Sequence, residues 1–363
     1  MSEDVDLKSE WAAFCDSLKA AGDLVFDPAN PQDGLTQAEG VRYLTRLTRM
    51  GLENFVEFRD PLFPVLRRSC HETIKQGGDN PDNHYANAAI NPAFTYRITG
   101  TRGSVHYLGF GTQEGNYGKD GGLQTSGYLD ARDMEIAADG SFEIIVAPEK
   151  PTQGNWLPMS GKSGMVLVRQ TFGDFKNEKP AECSIERIGA EGDAPKPMTP
   201  GRMARGLMAA HRFVTGSTKL FLEWTRDFAA QPVNAFERLD PKRAAAAGGD
   251  PNIQYYYGPW DFAADEALVI ETDIPACDYW NIQLNNFWME SLDYRYLPIT
   301  LNHKTAQVVD GKVRIVLAHE RLDVANAITT GGHAKGILMW RWIGADQNAP
   351  VPTITKTKLR DLS

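Results

Sequence analysis

Apolar positions in the first eighty residues recur with the period of a helix. Leu7, Trp11, Phe14 and Leu18 fall at i, i+4, i+7 and i+11, and Gly22 follows as a stop, so the spacing predicts a first helix ending there. A second helix is predicted around Thr36 and Glu39, which read as a capping box, with Leu44, Leu47, Leu52 and Phe55 as an apolar stripe running to "RDPLFP". From Ala93 the period changes to two. "AFTYRITG", "SVHYLGFGTQ", "SFEIIVAP" and "GMVLVRQTF" alternate or run apolar between Gly, Asp and Pro, the pattern of short antiparallel strands. "EGNYGKDGG" is expected to be a glycine-rich hairpin or loop; no G-K-[ST] follows it, so it is not a phosphate loop. Helical spacing returns after Pro200, with Met203, Leu207, Ala210 and Phe213 on one face. The β pattern resumes at "EALVIETDIP" and continues through Trp342, leaving a tail or an edge strand. These changes of period divide the chain into a helical region (1–78), a first β half (79–195), a helical connector (196–248), a second β half (249–346) and a tail (347–363).

The two β halves carry a repeat. Asp139 and Gly140 align with Asp310 and Gly311, Ile144 with Ile315, Ala147 and Glu149 with Ala318 and Glu320, and Asn155 with Asn326. After a one-residue gap, Gly164 aligns with Gly336 and Arg169 with Arg341. The shared unit is a tight Asp-Gly turn, an apolar strand, a loop carrying Asn, and a glycine leading into a second apolar strand that ends in Arg. One such half alone would be a poor fold. Two halves stacked face to face bury both apolar faces, so the expected architecture is mainly β: an antiparallel β-sandwich built from two related halves, with helices at the N-terminus and between the halves.

At 363 residues the chain is long enough for a substantial core. A net charge of -9 repels phosphate backbones and anionic lipid surfaces, so no nucleic acid and no membrane partner is expected. The four cysteines are scattered, without CxxC or metal spacing, which fits a reducing cytoplasm and neither a zinc cluster nor a disulfide framework. "MSEDVDLKSEWAAF" has no signal-peptide pattern and no apolar run approaches a membrane span, so a cytoplasmic protein is expected. An exposed edge strand leaves room for a homodimer.

The stretch from Tyr255 to Tyr296, "YYYGPWDFAADEALVIETDIPACDYWNIQLNNFWMESLDYRY", and the segment from Asp310 to Trp342 resemble the C-terminal signature of the bacterial domain of unknown function 1214 family. "LTQAEGVRYLTRLTR", "NPDNHYANAAINPAFTYRITGTRGSVHYLGFG" and "ERIG" are similar to upstream parts of its longer members, so the resemblance covers most of the chain and is most specific in the second half. It implies a jelly-roll-like β-sandwich, often encoded among genes for catabolism of steroids, aromatics or other hydrophobic compounds, and no established activity. The family pattern Asn-Trp-Leu-Asp-Thr is kept at Asn155, Trp156 and Leu157 but reads Asn326, Ala327, Ile328, Thr329 in the second repeat. If that loop walls a pocket, the lost indole widens it.

Candidate chemistry concentrates in the second half. Period two puts Trp280, Ile282 and Leu284 on a core face and Asn281, Gln283 and Asn285 on the other; a row of neutral amides suits a semi-buried surface that binds hydroxyls or carbonyls, or else satisfies neighbouring backbone. Tyr255 and Tyr257 should share a face, with Tyr256 opposite, and together with Trp260 and Trp288 suit flat, hydrophobic, hydroxylated ligands or plain aromatic packing. Asn326 and Arg341, at corresponding points of the repeat, complete the expected ligand-binding set. Glu290 and Asp293 are candidates for general acid and base, with Tyr294 or Arg295 polarising a carbonyl; the alternative is an Asp–Arg pair pinning a turn. His319 and His333, at the ends of one loop, are candidate acid–base groups. No metal site and no cofactor is expected, for lack of metal-binding, nucleophile-elbow or dinucleotide patterns. The expected function is a cytosolic, cofactor-independent lyase, hydratase, isomerase or hydrolase acting on a hydrophobic oxygenated small molecule; the alternative is a non-catalytic binding or scaffold protein.

Overall fold

The computed structural model describes residues 5–118 and 122–362. Helix α1 spans Leu7–Val25 and runs on past Gly22 by one turn; its N-cap is Asp6, whose carboxylate accepts from the backbone of Lys8 and Ser9. Helix α2 spans Gly34–Leu52 and ends in a π turn over Glu53–Glu57. Its cap is Asp33, which accepts from the Thr36 amide, so the expected Thr36–Glu39 box does not form. Glu39 turns inward instead, to partners far away in sequence. Helix α3, Pro200–Ala229, starts as expected with Pro200 in its first turn and Thr199 as cap, and the short α4 spans Pro241–Ala246.

The first half contains β1 (Arg67–Cys70), β2 (Asn83–Ala89), β3 (Tyr96–Thr101), β4 (Tyr107–Asn116), β5 (Gly122–Asp130), β6 (Ser141–Ala147), β7 (Asn155–Pro158), β8 (Ser163–Thr171) and β9 (Glu182–Arg187). The second contains β10 (Glu237–Arg238), β11 (Ile253–Asp261), β12 (Glu266–Asp273), β13 (Tyr279–Asn285), β14 (Thr300–Asn302), β15 (Val308–Val309), β16 (Lys312–Ala318), β17 (Ala327–Thr329), β18 (Lys335–Ile343) and β19 (Thr353–Lys358). The glycine-rich stretch joins β4 to β5 as an antiparallel pair; its residues 119–121 lie outside the described residues. The last strand, in the tail, is an edge strand beside β12.

The duplication is visible in the strand order. In the first half one sheet runs β1-β2-β8-β4-β5 and the other β7-β6-β3-β9; in the second they run β10-β11-β18-β13-β14 and β15-β16-β12-β19, with β17 beside β16. Even the parallel pair recurs, β6 with β7 and β16 with β17. The repeated Asn has one job in both copies. Asn155 accepts from the Glu135 amide and donates to the carbonyls of Glu135 and Glu143, while Asn326 does the same with Gln307 and Arg314.

A β-sandwich with helical additions is therefore present, but its apolar faces are buried differently from the face-to-face stacking of two halves. Each half is already a two-sheet sandwich with its own core, around Ile98, Phe110, Ile144 and Val168 in the first and around Ile270, Trp280, Ile315 and Trp340 in the second. The halves meet through the outer faces of their five-stranded sheets, and the helices pack together beside them around Tyr43, Leu47, Phe213 and Leu222. Among the described residues, no helix is long and apolar enough to cross a membrane, and all four cysteines are free thiols.

Candidate functional site

A strand buried on both sides must serve two environments with alternate residues. On β8, Val166 and Val168 enter the first core while Met165, Leu167 and Arg169 face outward; on β2, Ala86 and Ala88 face in and Asn83, Tyr85 and Asn87 out. On β11, Tyr256 and Trp260 enter the second core while Tyr255 and Tyr257 face outward; on β18, Leu338, Trp340 and Trp342 face in and Met339 and Arg341 out. The outward sets of both halves line one cavity of ≈ 350 Å³. That volume falls in the range of about 300–1,000 Å³ in which small-molecule sites lie. Phe213, Phe221 and Trp224 of α3 give it an aromatic wall, and Tyr117 joins them, its hydroxyl donating to the Ala247 carbonyl.

Two buried arginines stand in this wall in equivalent settings. Tyr85 lies opposite Arg169 on β2 and β8, and Tyr255 lies opposite Arg341 on β11 and β18. Each guanidinium crosses to the loop of the other half. Arg341 Nη2 donates to the Gly78 carbonyl at 2.5 Å, and Arg169 Nη2 donates to the Gly248 carbonyl. Each tyrosine hydroxyl accepts from a backbone amide five residues upstream, Asn80 for Tyr85 at 3.1 Å and Asp250 for Tyr255 at 3.4 Å.

Burial pushes the Tyr85 hydroxyl up to about 12 against the pull of Arg341 and Arg169, and it raises Tyr255 in the same way. Both are hydrogen-bond donors at neutral pH. Cys70 also lines the cavity, but burial holds its thiol well above the usual range, which deprives it of nucleophilic character. The Asp79 carboxylate is taken up by Ser291, whose amide donates at 2.9 Å and whose hydroxyl donates at 2.7 Å.

Of the residues singled out in the sequence, Tyr255, Tyr257 and Arg341 line the cavity, and Tyr256 points the other way as the alternation requires. Asn281, Gln283 and Asn285 lie fully buried behind that wall. Asn281 donates to Asn80 Oδ1, Gln283 donates to the Asp79 carbonyl and accepts from Arg341 at 2.5 Å, and Asn285 donates to the Ile337 carbonyl. They position Arg341 and the 79–80 loop. Trp260 belongs to the second core, and Trp288 packs on Tyr43 while its indole donates to the Thr36 carbonyl.

The candidate acids lie outside the cavity and apart. Glu290 is buried against Arg46 at 2.6 Å and Asn286, and burial raises its pKa despite Arg46. Asp293 and Arg295 pair with each other at the surface through two hydrogen bonds of 2.8 and 2.7 Å, while Tyr294 stacks under the Lys75 ammonium, 4.4 Å from its ring centre. His319 stacks on Phe262 and bonds Thr330; His333 bonds Glu39 at 2.9 Å. Asn326 holds its turn and borders a separate hollow on the outer sheet of the second half. Among the described residues, no three His, Cys, Asp or Glu side chains cluster as metal ligands.

Tyr85 and Arg169 are the site residues that the sequence reading passed over, although Arg169 was already aligned with Arg341. The signal lies in extending the repeat upstream: "NPDNHY", Asn80 to Tyr85, matches "DPNIQY", Asp250 to Tyr255, with Pro81 on Pro251 and Tyr85 on Tyr255. The helical wall, by contrast, leaves no such trace.

The model of the family described as "Protein of unknown function (DUF1214)" matches residues 119–173. The match falls in the first β half, on the copy that keeps Asn155, Trp156 and Leu157, whereas the family signature was expected in the second. No curated protein matches. Among solved structures, an uncharacterized protein from Burkholderia cenocepacia is 46% identical over 98% of this chain and 99% of its own, with a TM-score of 0.94. The VPA0106 protein from Vibrio parahaemolyticus covers 94% of this chain and 100% of its own at 13% identity, with a TM-score of 0.51, a likeness of fold alone.

Proposed function

The chain belongs to the family described as "Protein of unknown function (DUF1214)", and we propose that it binds a hydrophobic, oxygenated small molecule, of the aromatic or steroid kind, between its two β halves. One observation carries this reading: the outward faces of both five-stranded sheets, which a simple sandwich would leave to solvent, enclose a cavity whose wall combines aromatic rings with Tyr85, Tyr255, Arg169 and Arg341. Aromatic rings take up a flat apolar body, and the few converging donors fix its oxygens. The setting we propose is the cytoplasm, where the four thiols stay reduced.

A second reading, a cofactor-independent enzyme working by acid–base chemistry, is favoured by the same donors. Protonated Tyr85 and Tyr255 beside two fixed guanidinium groups are placed to stabilise negative charge developing on a bound carbonyl, as in an isomerase or lyase. The binding reading comes first because the carboxylate in the wall, Asp79, already accepts two hydrogen bonds from Ser291.

A thermal-shift panel of steroids, lignin-type aromatics and sugars tests the proposal. Ligand at 100 times its Kd stabilises by about 2.7 kcal/mol, so a hydrophobic oxygenated class should raise Tm and sugars should not. Tyr255→Phe should reduce that rise. A panel in which sugars alone shift Tm contradicts the reading; turnover of a shifting compound that Tyr255→Phe abolishes would move the enzyme reading to first place.

A further inference from the structure

The two arginine settings are copies of each other except in charge. At the loop position whose amide holds the tyrosine, the second half has Asp250 and the first half has Asn80. Arg169, which faces Asp250, has its counterion there, with Nη1 3.7 Å from Asp250 Oδ2. Its mate Arg341 faces Asn80 and has none: among the described residues it forms no ion pair. Its terminal N–H groups go to Gln283 Oε1, Asn281 Oδ1, the Gly78 carbonyl and the Met339 sulfur at 2.9 Å. Every one of these acceptors is neutral, and a thioether sulfur is a weak one.

Two other carboxylates stand near this guanidinium. Asp79 is engaged by Ser291, and Asp82 accepts from Tyr279 at 2.6 Å and Asn302 at 2.9 Å. Asp82 occupies the position that corresponds to Asn252, two residues past the point where Asp250 meets Arg169. The duplication has in effect exchanged Asn and Asp between the two loops, moving the first-half carboxylate away from its arginine. A buried cation without an adjacent anion is costly to maintain, and here it borders an accessible cavity.

Resting on the reading of that cavity as the binding site, we propose that its ligand is a hydrophobic carboxylate. The carboxylate approaches Arg341 from the cavity and supplies the negative charge that Asp250 supplies to Arg169; it displaces the Met339 sulfur and accepts from the hydroxyl of Tyr85, which the Asn80 amide holds. The apolar body lies toward Phe221, Trp224 and Tyr257.

The test is calorimetric titration of the full chain with 2-naphthoate, cinnamate and cholate, each paired with the alcohol in which the carboxylate becomes CH2OH. At least one carboxylate should bind about tenfold or more tighter than its alcohol, since a charge-assisted pair is stronger than a neutral hydrogen bond. Asn80→Asp, which gives Arg341 the counterion that Arg169 has, should erase that advantage and leave alcohol binding within about twofold. If Asn80→Asp fails to fold, Arg341→Gln, which removes the cation and weakens both compounds, should bring the ratio of carboxylate to alcohol affinity to about one. Acid and alcohol binding equally, or an unchanged preference in both variants, overturns the carboxylate assignment while leaving the cavity reading intact. No binding of any acid or alcohol overturns both.

Discussion

At the scale of single residues, local clustering of chemical groups is a poor guide to where they act. Glu290, Asp293, Tyr294 and Arg295 are neighbours in sequence, yet each faces a different partner. Asp293 and Arg295 close on each other at the surface, and exposed pairs contribute little, so Arg295→Ala should change unfolding free energy by no more than about 0.5 kcal/mol in urea titration. A loss of 2 kcal/mol or more would mean that the pair anchors the loop. The alternation of β11 and β13, in contrast, was legible residue by residue, because a strand's two faces follow from counting by two. That separated Tyr255 and Tyr257 from Tyr256, and Asn281 and Gln283 from Trp280 and Ile282. What the amides do there was not legible, since their partners, Asn80 and Asp79, lie some two hundred residues away.

At the scale of elements, strands and helices were largely placed by their period, and misreadings arose where a tertiary partner outbid a local one. Glu39 fits a capping box on paper, but His333 and Asn286 claim its carboxylate and Asp33 caps the helix. Asn326 was expected in the ligand-binding set; its side chain ties its loop to two neighbouring segments, as that of Asn155 does. Asn155→Ala should cost about 1–3 kcal/mol, the toll of leaving buried backbone groups without partners, and the shift is measurable by chemical denaturation. A neutral result would contradict that role. Helix α3 makes a close crossing at Gly216, where a Cβ would overlap the Tyr117 carbonyl oxygen at the end of β4. Gly216→Ala should therefore lower Tm and disturb the aromatic wall that Tyr117 and Phe221 share; an unchanged Tm would mean that helix and hairpin move apart freely.

At the scale of the whole molecule, the duplicated sandwich was readable from the repeat, but the number of cores was not. Each half closes on itself, which frees its outer sheet face to meet the other half and to carry polar and aromatic groups. The helices are tied to the second half by the Glu39–His333 pair. Burial disfavours both charges, but the hydrogen bond and attraction between them prevail, so Glu39 is held below its ordinary 4.5 and His333 above its ordinary 6.5. A raised folded value on His333 means that its stabilisation is complete below pH 6.5 and is lost as pH rises through the folded value. The lowered value on Glu39 means that its share is present above pH 4.5 and is lost as pH falls through the folded one. The pair thus contributes most between these limits. His333→Gln should cost about 2 kcal/mol near pH 5.5 and clearly less in alkaline solution, as urea titrations at the two pH values would show; an equal cost at both would reduce the pair to a neutral hydrogen bond.

The central claim is that the space between the halves is a ligand site, and filling it is the most direct test. Leu167 of β8 lines the cavity, and Leu167→Trp would occupy it with an indole while leaving the arginines and tyrosines in place. Calorimetric titration of both proteins with the compound that most stabilises the native chain decides the matter. The account predicts binding to the native protein and none to a folded Leu167→Trp; equal affinity for both would place the ligand elsewhere and contradict it.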